Sequence, residues 1–284
     1  FAAYAEALRQ QPDAPEVLAR LETLAIAHER FPPLVELLGE LASQSTDPEL
    51  ARTLWVKSAT VQDVQLEDVD GAVASYRKVL ADNPGDEEVL VALDGLFRRT
   101  ERWADLAGVL RRRSEQTLDG ELKEELLGQM ASLYDAQLGE PETAIGVHRE
   151  ILALDPASPR ALAALDDLFA RQEMWSELAD NVARPLALAE DPERQIELML
   201  QLAQLRETRM DAPEAAIESY REVLDREPTQ RAARASLERL LENEAHQVVI
   251  AEVLEPIYRD QGEIAPLIGI HEIQARHASA PERR

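Results

Sequence analysis

The chain has 284 residues, no cysteine, a net charge of −25, 45% hydrophobic residues and only 4% aromatics. Without cysteine, disulfides, thiolate nucleophiles and thiolate metal sites are excluded. The charge opposes nucleic acid and anionic membrane surfaces, since phosphate binding needs a basic footprint, and no apolar run reaches the roughly 20 residues of a bilayer span.

Apolar residues recur at three- and four-residue spacing nearly throughout, the pattern of amphipathic helices, and Ala, Leu, Glu and Arg, all strong helix formers, dominate. The chain opens inside a helix near Phe1–Arg9. Asp47 precedes a later helix, where a carboxylate can accept orphan backbone N–H groups. A helix is predicted over Val69–Asn83, stopped by Pro84. Gly85 and Asp86 supply the turn and cap, and the next helix spans Glu87–Arg99. Another begins near Arg102 with Trp103, Leu106 and Leu110, and a fourth follows Asp119 to about Gln137, before Glu140-Pro141. Ser158-Pro159 and Asp191 mark further helix starts, and the last predicted helix runs near Ile264–Arg276.

These elements repeat. Tyr4, Tyr76, His148 and Tyr220 recur every 72 residues, as do Pro12, Pro84, Pro156 and Pro228. Such a period marks stacked supersecondary units. Each copy holds four helices in two hairpins. The copies are approximately 1–72, 73–144, 145–216 and 217–284, in one domain over 1–284. Since the first and last helices each lack a hairpin partner, the chain is expected to be a segment of a longer repeat protein.

Ala72, Tyr76, Val79 and Pro84 form a spaced set that returns as Ala144, His148, Ile151 and Pro156, and as Ala216, Tyr220, Val223 and Pro228. This resembles the second helix of a tetratricopeptide repeat. Ala59, Ala131, Ala203 and Ala275 stand where that family places a small residue between its two helices, and Trp55 where it often has tryptophan. The alternate hairpin departs from the pattern. Its small position is acidic, as Glu22, Asp94, Asp166 and Glu238, and its second helix carries Phe31, Trp103, Trp175 and Gln247. The resemblance implies an all-α, right-handed α-solenoid of stacked antiparallel helix pairs.

Catalytic signals are weak. The histidines His28, His148, His246, His271 and His277 form no helical His-Glu-x-x-His pair, and the glycines form no phosphate loop. No cofactor, metal or catalytic residue is assigned, and the chain is read as not an enzyme. His148 is expected in the core. The Arg111-Arg112-Arg113 run points three ways around its helix and is expected to be solvated. The acidic series is expected to pair within the chain, Asp94 with Arg98 one turn on.

In the tetratricopeptide family the first helices of the hairpins line a concave surface that receives a peptide or helix. Transferring that register places Thr53, Lys57, Thr60, Arg99, Gln129, Ser132, Asp135, Asp167, Arg171, Gln201 and Gln204 on it. The lysine–asparagine set by which some members clamp a terminal carboxylate is missing. The expected role is a scaffold for a protein or peptide partner, a basic one suiting the charge. Alternatives are a structural spacer in a larger assembly or the accessory repeat region of an enzyme. The expected partners do not include nucleic acid or a membrane, while head-to-tail self-association through the two unpaired terminal helices is an added expectation. A cytoplasmic location is favoured, with a removed signal peptide as the alternative, because the chain starts at Phe1.

Overall fold

The computed structural model describes residues 1–278, all in helices and short connections. They fall into two compact units, Phe1–Val147 and the described part of His148–Arg284. The first contains α1 (Ala2–Gln10), α2 (Pro15–His28), α3 (Phe31–Gln44), α4 (Pro48–Gln65), α5 (Val69–Asp82), α6 (Glu87–Arg99), α7 (Trp103–Gln116) and α8 (Gly120–Leu133). The division falls inside α9 (Pro141–Leu154). The second continues with α10 (Pro159–Arg171), α11 (Trp175–Leu188), α12 (Pro192–Thr208), α13 (Pro213–Arg226), α14 (Arg231–Leu240), α15 (Gln247–Gln261) and α16 (Ile264–Ala278). Within each unit, successive helices pack in pairs.

Local chemistry sets the boundaries. Pro15, Pro48, Pro141, Pro159, Pro192 and Pro213 each open a helix, where the missing N–H costs nothing. Asp47, Asp119 and Asp191 cap α4, α8 and α12, accepting from the N–H groups of Glu49 (3.0 Å), Glu121 (2.9 Å) and Glu193 (3.2 Å). Asp86, Ser158 and Gln230, in one register, cap α6, α10 and α14. The structure also corrects one expectation. The fourth helix of its copy is not α-helical to Gln137, since after Leu133 it widens into a π turn over Tyr134–Leu138.

The turns inside the hairpins repeat as faithfully as the helices. Glu29, Glu101 and Glu173 adopt left-handed backbone with φ of 52°, 55° and 55°. After each, the next N–H reaches back to a helix carbonyl: Arg30 to Ala25 (2.9 Å), Arg102 to Phe97 (2.9 Å) and Met174 to Phe169 (2.8 Å). These bonds satisfy carbonyls that a helix end would leave orphaned. Glu67, Gly139 and Asp211 are left-handed likewise in the alternate hairpins. At Gly71 in α5, an added Cβ would meet the Asp68 carboxylate and the Gln62 amide.

The core is aliphatic. In the first unit Leu8, Leu21, Leu34, Leu38 and Leu54 form one cluster. In the second, Tyr220, Val223, Leu237, Ile250, Leu254 and Ile270 form another. Each fully buried side chain of this size contributes on the order of 1.5–3 kcal/mol. Ala59, Ala131 and Ala203 are completely buried, so no larger side chain fits at their register without repacking. His148 is buried, as its place in the tyrosine series implied.

Candidate interaction surface

The residues nominated from the sequence lie on first helices of the hairpins. Thr53, Lys57 and Thr60 are on α4, Arg99 on α6, Gln129 and Ser132 on α8, and Asp135 on its π turn. In the second unit Asp167 and Arg171 are on α10, and Gln201 and Gln204 on α12. All are exposed or half-buried. Thr53 and Lys57 border a groove of about 220 Å³ between the α1–α2 connection, α2 and α4, along with Pro12, Asp13, Leu18 and Glu22.

The cations among them are engaged within the chain. Lys57 Nζ lies 2.6 Å from Glu22 Oε1, joining α4 to α2. Arg99 donates to Asp63, joining α6 to α4. Arg171 donates to Asp167 one turn back at 2.8 Å. Arg52 adds a further link from α4 to the start of α6, donating to Asp86 Oδ1 (2.9 Å) and Glu88 Oε2 (2.6 Å). The Arg52 guanidinium holds the Asp86 carboxyl below the usual carboxylate range. First helices of neighbouring hairpins are therefore stitched by ion pairs across the nominated surface.

The acidic series resolves in the same way. Glu22 takes Lys57; Asp94 takes Arg98 and also Arg113 Nη1 (3.1 Å). Asp166 accepts from Asn181 Nδ2 (2.8 Å), and Glu238 from the Tyr258 hydroxyl (2.7 Å). The Arg113 contact corrects the reading of the arginine run as solvated. Arg113 is largely buried and bridges Asp94 and Glu87 (2.8 Å), because its direction around α7 faces α6. Asp166 has an amide where Asp94 has two guanidiniums, and burial raises its carboxyl above the ordinary value. Trp175, half-buried at the start of α11, lies under the Arg209 guanidinium, 5.1 Å from the ring centre.

A second acidic register, of which Asp135 alone was nominated from the sequence, is Asp63, Asp135 and Glu207, near the end of α4, on the π turn after α8 and near the end of α12. Asp63 takes Arg99, and Glu207 takes the Tyr220 hydroxyl (2.8 Å) and Arg239 (2.6 Å). The 72-residue period would have found it. Of the remaining histidines, His271 sits 3.4 Å from Glu255 and His277 3.3 Å from Gln247.

A family model of the tetratricopeptide repeat matches residues 126–160, which span the end of α8, the π turn, α9 and the turn after it. The chain carries a tetratricopeptide repeat. The matched stretch contains Ala131, Ala144, His148, Ile151 and Pro156 of the repeating set. No curated protein sequence matches the chain. Among solved structures, a MamA protein is similar at 17% identity and a TM-score of 0.34, over 63% of this chain and 93% of that one. YrrB, described as a tetratricopeptide protein with an unusual peptide-binding site, is similar at 13% identity and a TM-score of 0.33, over 64% and 90%. A tetratricopeptide repeat protein from Parabacteroides merdae is similar at 15% identity and a TM-score of 0.35, over 90% and 97%. No described helix is long and apolar enough to cross a membrane.

Proposed function

We propose that this repeat array is a scaffold that holds a basic peptide or protein segment along the first helices of its hairpins. The groove between α2 and α4 carries the reading. Its floor is the buried Leu18 and Leu54, its rim Asp13, Glu22, Thr53 and Lys57. An apolar floor with a few polar rim groups suits an extended segment, and the net charge of −25 favours a cationic one. Because Lys57 is already bonded to Glu22, reversing Lys57 alone would break a bridge between helices as well as alter the groove. The test is therefore a charge swap, Lys57→Glu with Glu22→Lys, beside Asp13→Lys and Thr53→Arg. Binding of labelled twelve-residue peptides graded in net charge is read by fluorescence anisotropy at several salt concentrations. Lysine-rich peptides are expected to bind most tightly, with affinity falling as salt rises and in Asp13→Lys and Thr53→Arg. Equal binding of acidic and basic peptides overturns the proposal.

A second reading rests on α16. Its residues His271 and Ala275 are exposed, whereas Met199 and Ala203, and Leu127 and Ala131, in the same register are buried. On α1, Tyr4 is 39% exposed, whereas Tyr220 at its register is buried. The two helices carry complementary halves of one hairpin, and α1 of a second copy is the occupant proposed for the α16 face. Head-to-tail contact of this kind does not close on itself. Sedimentation should show mass rising with concentration and a return to monomer in Ala275→Arg; a constant monomer mass excludes it.

A further inference from the structure

At two places where adjacent second helices run side by side, a cation on one reaches an acid on the next. Arg9 of α1 meets Glu40 of α3 at 3.2 Å, and Arg77 of α5 meets Asp105 of α7 at 3.2 Å. Between α9 and α11 the corresponding residues include Arg149, Glu177, Asp180 and Arg184, around a space of about 160 Å³.

Between α13 and α15 that pattern is broken. Arg221 keeps the register of Arg77 and Arg149, but Val249 stands at the place of Asp105 and Glu177. Pro256 stands at the place of Glu40, Arg112 and Arg184. Among the described residues, Arg221 pairs along its own helix, with Glu218 (3.8 Å) and Asp225 (3.9 Å). The space between the helices opens to about 490 Å³. Leu224, Val253 and Ile257 form its floor, and Val249 is half exposed at its mouth. Asp225, Glu252 and Asp260 stand around it with Arg221 as the one cation of the lining.

An exposed valine at a place that holds Asp105 and Glu177 in the second and third copies, and Pro33 in the first, leaves apolar surface facing water, which is unfavourable unless something covers it. The opening is in the size range of ligand sites, and its rim has an excess of negative charge. We infer that the α13–α15 groove binds a peptide segment of a partner protein with one large apolar side chain flanked by lysine or arginine. The apolar side chain enters the valine-lined opening and displaces its water. The flanking cations meet Asp225, Glu252 and Asp260, where complementary charge fixes register and speeds encounter. This site lies on second helices and is independent of the groove between α2 and α4.

The other copies supply the test variants. Val249→Glu and Pro256→Arg install residues that α11 itself carries as Glu177 and Arg184, so the hairpin keeps a side-chain set that folds elsewhere in the chain. Binding of a fluorescein-labelled peptide of alternating Lys-Leu-Phe-Lys units is measured by anisotropy, with Lys-Ala-Ala-Lys and Glu-Leu-Phe-Glu peptides as comparisons. The first peptide is expected to bind and both comparisons to bind at least about tenfold more weakly, a difference of about 1.4 kcal/mol. In the Thr53→Arg background, which weakens the other groove, Val249→Glu/Pro256→Arg should weaken the first peptide by about the same factor, with unchanged circular dichroism. Undiminished binding in the double variant overturns the assignment. So does equal binding of the alanine peptide, and so does uptake of the apolar dye anilinonaphthalene sulfonate at Val249 without any peptide binding. Loss in Thr53→Arg but not in the double variant would move the peptide to the other groove.

Discussion

The Tyr220 hydroxyl donates to Glu207 Oε2 at 2.8 Å, tying the middle of α13 to the end of α12 inside one hairpin. Tyr220 is completely buried, and Glu207 Oε1 also accepts from Arg239 of α14 at 2.6 Å, so one carboxylate links three helices. Tyr220→Phe removes one bond and leaves Glu207 with Arg239, a cost of about 1 kcal/mol in urea unfolding. Glu207→Leu strands a buried hydroxyl and should cost more, about 1–3 kcal/mol. Burial, then the neighbouring Glu207, pushes the Tyr220 hydroxyl pKa above its ordinary value. A raised folded pKa means that this contribution is whole below about pH 10, the ordinary tyrosine value, and is lost as pH rises through the folded one. Tyr220→Phe should therefore flatten the alkaline limb of the stability curve; a variant that follows the parent above pH 10 refutes the assignment.

Arg52 and Asp86 give the opposite dependence. Asp86 is almost fully buried, bonded to Arg52, and accepts from the Val89 N–H as the cap of α6. Asp86→Asn keeps a capping side chain and removes the charge. The folded pKa of Asp86 is lowered, first by the Arg52 bond. Its stabilisation is thus present above about pH 4, the ordinary aspartate value, and lost as pH falls through the depressed one. At pH 7 the parent should exceed Asp86→Asn by about 1.5–3 kcal/mol, the range of hydrogen bonds to charged groups. The gap should narrow in acid; a gap independent of pH would mean that the guanidinium contact contributes nothing.

Much of this architecture can be read from residue types because its devices are local. Pro84 and Asp86 bound α6 at Glu87, and Asp47, Asp119 and Asp191 cap three helices in one register, since each needs only its own turn. The pairing of Asp94 with Arg98 is local too. What lies between helices is harder. One acidic register meets Lys57, Arg113, Asn181 and Tyr258 in its four copies, from different positions on different helices. No spacing rule predicts that set, because the partner depends on how two helices cross. The left-handed Glu29, Glu101 and Glu173 carry no turn chemistry, and only their common place in the period marks them. The α13–α15 groove becomes visible once Val249 is set beside Asp105 and Glu177 and the helices are known to be neighbours.

Asp166 should be a site where removing a charge helps. Its carboxylate accepts from Asn181 Nδ2, and burial raises its pKa. A raised folded pKa means that stability is fullest below the ordinary aspartate value and declines as pH rises through the folded one. Asp166→Asn keeps an acceptor oxygen for Asn181 without a charge to desolvate. Thermal unfolding at pH 7 should show the variant more stable than the parent, with the advantage disappearing below about pH 4. A variant less stable at neutral pH would show that the carboxylate is favourably solvated.

The left-handed turns can be tested from both sides. Gly139, at φ 67°, shares its register with Glu67 and Asp211, which hold the same conformation with a Cβ. Gly139→Ala places a methyl group in open space, so no contact is disturbed and only the backbone conformation is penalised. The expected loss is about 1 kcal/mol. The reverse change, Glu101→Gly, relieves that strain while the freer unfolded chain offsets part of the gain. Its net effect should be a stabilisation of up to about 1 kcal/mol, provided the Arg102–Phe97 backbone bond that closes the turn is retained. Urea unfolding of both variants decides the matter. If Gly139→Ala is neutral, the turn re-forms without a left-handed residue, and the shared register of Glu67, Gly139 and Asp211 is not what closes these hairpins.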